Sequence, residues 1–138
     1  VRAVSPRLRW WLLAVFGLVA LLGANSFYLI SIRVLEWAKG FSYQNYFYQL
    51  MFLTHLVLGL LLLAPFVVFT AVHLKATFER RNRRAVQAGY LLLACSLALL
   101  ISGIALMRVE GFELKNPNLR SAMYWAHVLT PLGVVWLY

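Results

Sequence analysis

Charge is scarce in this chain. Of 138 residues only 12% are charged, and four of those are acidic, whereas a soluble globular domain carries about a quarter charged residues. A water-exposed domain is thereby excluded. With so few carboxylates there is no acid pair for general acid–base work, no nucleophile–base set and no phosphate-binding loop, which argues against a self-contained enzyme. Cysteine is nearly absent too: Cys95 stands alone, so no internal disulfide is possible. No CxxCH occurs, which excludes covalent c-type haem attachment within this stretch. Cys95 itself lies in an apolar run and reads as a small apolar residue.

What is present is apolar surface. Hydrophobic residues make up 63% of the chain, and the mean hydropathy is +0.78. The formal charge is +9, yet the basic residues fall in short clusters between apolar blocks. That is the pattern of a membrane protein with basic loops, and it speaks against nucleic acid as a partner. The lipid bilayer is the expected environment. The fold class expected is all-α, an integral membrane four-helix bundle in one transmembrane domain over residues 1–138.

The first span is expected over 10–32, between Arg9 and Arg33, with Trp10 and Trp11 at the interface. It is too long for a signal peptide and no clean cleavage site follows, so it reads as a retained helix. Gly17, Ala20, Gly23 and Ala24 give it a small-residue side suited to helix contact, and Asn25 and Ser26 are expected to face inward. A loop from Arg33 to Tyr48 carries Trp37, Phe41, Tyr43, Tyr46 and Phe47, an interfacial belt with room for a short surface helix. The second span is expected over 46–74, kinked at Pro65, which leaves the Leu61 carbonyl unbonded. The third fills 85–107, where Ser102 and Gly103 allow close approach. Asn116-Pro117-Asn118 reads as a turn, and the fourth span covers 121–138. It stops at Tyr138 without a polar tail, the expectation for part of a longer chain.

Eight of the thirteen basic residues lie in the N-terminal segment and the Lys75–Arg84 run. The positive-inside rule therefore puts those two segments in the cytoplasm, in what is expected to be a bacterial inner membrane.

The chemistry rests on three histidines: His55, His73 and His127. His55 and His73 are 18 residues apart, which is five helical turns, so they share a face at a separation of roughly 27 Å. Ionisable residues in a span are costly and mark function. His55 and His127 lie at similar depth in two helices of the same direction, and Gly59, one turn after His55, leaves room for something flat. Pro131 removes the hydrogen bond to the His127 carbonyl. Arg120 stands two turns before His127 on nearly the same face, placed to pair with a carboxylate at the membrane surface.

This arrangement resembles the membrane-embedded di-haem b-type cytochromes, where histidines on two helices of a four-helix bundle hold stacked haems. The likeness lies in helix count and in the positions of His55, His73 and His127 rather than in a local motif. It departs in the spacing of 18 residues, longer than the family's, and in the lack of a fourth histidine. The resemblance implies haem b ligated by His55 and His127, a second haem near His73, and Arg120 on a propionate. It further implies electron transfer between quinone and a periplasmic partner such as a c-type cytochrome, within a larger redox complex. Two other readings remain open: a subunit binding bacteriochlorophyll in a photosynthetic complex, and a cofactor-free membrane anchor. Met51, Met107 and Met123 are further candidate ligands, but packing explains them more simply; His73 equally suits an interfacial role.

Overall fold

A computed structural model describes residues 6–77, 83–108, 111 and 113–137. Four helices are present: α1 Pro6–Lys39, α2 Tyr46–Thr77, α3 Arg83–Leu106 and α4 Pro117–Leu137. No strand occurs among the described residues. The chain is all-α, as its composition requires. Residues 78–82 of the Lys75–Arg84 basic run lie outside the described residues, as do Arg2, Glu110 and Tyr138.

Three segments are long and apolar enough to cross a membrane: Leu8–Lys39, Tyr46–Lys75 and Arg83–Leu106. The fourth helix, 21 residues long, falls short of the other three because Arg120, His127, Thr130 and Pro131 interrupt its apolar run. Along α1, Trp10 and Trp37 are 27 residues apart and 76% and 86% exposed. At 1.5 Å per residue that is about 40 Å, the thickness of a bilayer with its headgroup regions. Two exposed indoles at that spacing fit the two interfaces of one membrane.

The helices outrun their apolar segments. The expected 10–32 helix runs on to Lys39, taking Arg33 and Glu36 into its last turns, because a charge marks where water begins and does not break a helix. It ends at Gly40, whose φ of +71° suits glycine. The Gly40 N–H donates to the Glu36 carbonyl at 2.9 Å, closing the last turn. The Glu36 carboxylate then gathers the connection. Arg33 Nη1 donates at 3.2 Å, Ser42 Oγ at 3.3 Å, the Tyr43 amide at 3.0 Å and Gln44 Nε2 at 3.2 Å. With six residues left between α1 and α2, the short surface helix expected in the aromatic loop does not form.

Asparagines start the next helices. Asn45 Oδ1 accepts the Tyr48 amide at 2.9 Å and caps α2. α2 then continues through Pro65 without interruption. Asn116 Oδ1 accepts the amides of Asn118 at 3.0 Å and Leu119 at 3.3 Å. With Pro117 in the first helical position, the expected turn is instead the start of α4, four residues before Ser121. At its other end α3 stops at Leu106, one residue short of the 85–107 expectation.

The chain forms two compact units, 1–76 and 77–138. In the first, α1 and α2 pair antiparallel. Asn25 Nδ2 donates to the Met51 carbonyl at 3.0 Å, and Tyr28 meets Phe47 edge-on at 5.2 Å. Asn25 is buried, as expected of an inward-facing polar residue. Gly17 and Gly23 are not close-approach points: a Cβ at either would meet nothing within 4 Å. In the second unit α3 and α4 pack together, and the tight point is Gly103.

Candidate functional site

Each unit seats one histidine of α2 or α4 against the helix before it. In the first, Asn25 and Ser26 of α1 tie down the turn Met51–His55 of α2. Asn25 Nδ2 reaches the Met51 carbonyl and stands 3.8 Å from Met51 Sδ. Ser26 Oγ lies 3.4 Å from His55 Nδ1. A hydroxyl both donates and accepts, so this contact holds the ring without dictating which nitrogen bears the proton. Asn25 Oδ1 is buried and meets no hydrogen-bond donor among the described residues.

The second unit is more closely defined. His127 Nδ1 lies 3.1 Å from the Leu99 carbonyl and 3.2 Å from Ser102 Oγ, while Ser102 Oγ donates to that same carbonyl at 3.0 Å. Ser102 is almost wholly buried, at 1% exposure. A carbonyl cannot donate, so a bond at this distance requires the proton on Nδ1. The lone pair then belongs to Nε2, the usual outcome when a ligating histidine is braced by a backbone acceptor. The ring also lies over Gly103: a Cβ there would stand 3.0 Å from Cε1 and 3.4 Å from Nδ1. Glycine there lets the imidazole sit as it does; a side chain would make it shift by a few tenths of an ångström.

Measured from its own helix start, His55 is nine residues into α2 and His127 ten into α4. These are about 13.5 and 15 Å of rise. The earlier start of α4 brings the two values closer than the apolar segments alone implied. His73 stacks on Phe69 one turn before it, with centroids 5.1 Å apart and planes 14° from parallel. A Cβ at Gly59 would meet nothing within 4 Å, so the space beside it is open. Arg120 Nη1 is paired with Glu113 Oε1 at 3.8 Å, and Arg108 Nε reaches the same oxygen at 3.7 Å. Both distances exceed a hydrogen bond, and the buried Arg120 Nη1 finds no acceptor among the described residues.

The described residues contain no group of three or more His, Cys, Asp or Glu that would hold a bare metal ion. An iron carried in a macrocycle asks the protein for axial ligands alone. Of the residues that matter here, Ser26, Ser102 and Gly103 had a sequence signal, being polar or small residues in a span, but not their partner. The Leu99 carbonyl had none. The Phe69–His73 stack was visible as an aromatic one turn from a histidine. No protein-family model, no curated protein and no solved structure matches this chain.

Proposed function

We propose that this chain is a membrane electron-transfer subunit in which His55 and His127 are the two axial ligands of one haem b. The observation that carries the reading is the bracing of His127: Nδ1 on the Leu99 carbonyl leaves the ligating lone pair on Nε2 of a half-buried imidazole packed against α3. His55, whose Nδ1 lies 3.4 Å from Ser26 Oγ, adds a second imidazole. The matched rise along α2 and α4, the open space beside Gly59 and the incompletely satisfied guanidinium of Arg120 agree with a flat carboxylate-bearing group. Arg120 would take a propionate. His73, lying flat on Phe69, serves as a packing residue near the end of α2.

Haem, when bound, would supply a one-electron Fe(III)/Fe(II) couple, with His55 and His127 as the residues that would hold it. The partners that go with this reading are a membrane quinone, a periplasmic redox protein and further subunits of a complex. The N-terminus belongs on the cytoplasmic side of a bacterial inner membrane. The test is the absorption spectrum of the purified protein. Haem gives a Soret band and an α band that sharpen with dithionite. Red or near-infrared bands would mean a chlorophyll subunit, and no pigment would leave a membrane anchor.

A further inference from the structure

We infer that the α3 turn from Leu99 to Gly103 is a positioning seat, one that fixes the tautomer and ring plane of His127 and so selects Nε2 as its ligating nitrogen. The metal part of this statement rests on the haem reading above; the tautomer part does not.

Three atoms make the seat. The Leu99 carbonyl lies within α3, and besides the backbone bond of the helix it accepts from Ser102 Oγ at 3.0 Å and from His127 Nδ1 at 3.1 Å. Were the proton on Nε2 instead, Nδ1 and the carbonyl oxygen would face each other as two acceptors. Ser102 would then have to turn from the carbonyl to donate to Nδ1, leaving the oxygen with its helical bond alone and an acceptor–acceptor contact at 3.1 Å. The existing arrangement satisfies all three groups at once. Ser102 is buried to 1% exposure, so water does not compete for its hydroxyl.

The third element is steric. Gly103 lies under the ring, and a Cβ there would come within 3.0 Å of Cε1. Such a contact is tighter than nearly all real Cβ contacts, so a side chain at 103 makes the imidazole give by a few tenths of an ångström and loosens its hold on the carbonyl. Hydrogen bonding sets the tautomer and the bare glycine sets the plane. Both act through His127, which makes Ser102 and Gly103 positioning residues.

The seat is specific to its turn. Gly89 lies on the same helix, and a Cβ at that position would meet nothing within 4 Å. Gly89→Ala is therefore the control for helix propensity and expression.

The test uses the full chain, labelled with 15N at histidine and purified without added haem, and is repeated with haem loaded. Nitrogen NMR is expected to show His127 neutral with the proton on Nδ1, its signals identified by their loss in His127→Ala. Gly103→Ala is expected to give a mixture of tautomers and about tenfold weaker haem retention; Gly89→Ala should match the unaltered chain in both. Ser102→Ala should keep the Nδ1–H tautomer, since the carbonyl remains, but shift the midpoint potential. An Nε2–H tautomer in the unaltered chain overturns the seat whatever haem does. So does a Gly103→Ala variant with unchanged tautomer and unchanged retention. If Gly103→Ala does not fold, the tautomer of the unaltered chain decides. A chain that shows the Nδ1–H tautomer yet binds no haem keeps the seat and removes the haem reading.

Discussion

The two hairpins hold their histidines by different means. In α1–α2 the partner of His55 Nδ1 is a hydroxyl at 3.4 Å; in α3–α4 the partner of His127 Nδ1 is a carbonyl at 3.1 Å, with a hydroxyl alongside at 3.2 Å. A hydroxyl can turn to suit either tautomer, whereas a carbonyl permits one. The glycines differ in the same sense. Gly59, one turn from His55, faces open space, while Gly103 carries the His127 ring directly above it. One hairpin leaves room beside its imidazole and the other fixes its imidazole in place.

The two hairpins differ most at their glycines. Gly103→Ala should either displace His127 or cost about 1–3 kcal/mol of overpacking. Gly59→Ala should be neutral, or stabilise the helix by up to about 1 kcal/mol through propensity. Thermal unfolding in detergent, compared with the histidine NMR signals, separates the two; equal effects at both sites would erase the distinction. The helix caps come next. Asn116→Ala removes two bonds to the start of α4 and Asn45→Ala one from α2, each worth about 1 kcal/mol, with the larger loss at Asn116. Denaturation midpoints give the order.

A smaller effect is expected inside the first hairpin. Asn25→Leu removes the bond to the Met51 carbonyl, and interhelical hydrogen bonds of this kind in membranes average about 0.6 kcal/mol. Because it also removes the unsatisfied Oδ1, the net change should be slight; a loss above about 2 kcal/mol would show that Asn25 bears more of the hairpin than its contacts indicate. Smallest is Arg120→Ala: on the proposed haem reading it should retain the pigment and move its midpoint potential, read by redox titration. An unchanged potential would return Arg120 to a loop charge paired with Glu113.

Much of the fold was legible because hydrocarbon excludes charge. The apolar segments of α1, α2 and α3 showed directly in the spacing of Arg9, Arg33, Lys75, Arg84 and Arg108. Helix ends were less legible for the same reason: charges report the water boundary, and a helix such as α1 passes through it until Gly40 stops it. Asn116-Pro117 was read as a turn because turn and cap chemistry are identical; only the bonds to Asn118 and Leu119 tell them apart. At the candidate site, the inward placement of Asn25 and the close approach at Ser102 and Gly103 were readable from residue type. That the approaching group is His127 was not, since it depends on how α3 meets α4. A backbone carbonyl such as that of Leu99 has no letter in the sequence at all.

The proposal that His55 and His127 share one iron is tested most directly by comparing the low-spin spectra of His55→Ala and His127→Ala with that of the unaltered protein. Each substitution should abolish the same low-spin haem signal, since each removes one axial ligand from the same centre. If the two variants lose different pigments, or if either keeps the full low-spin spectrum, the shared site is wrong.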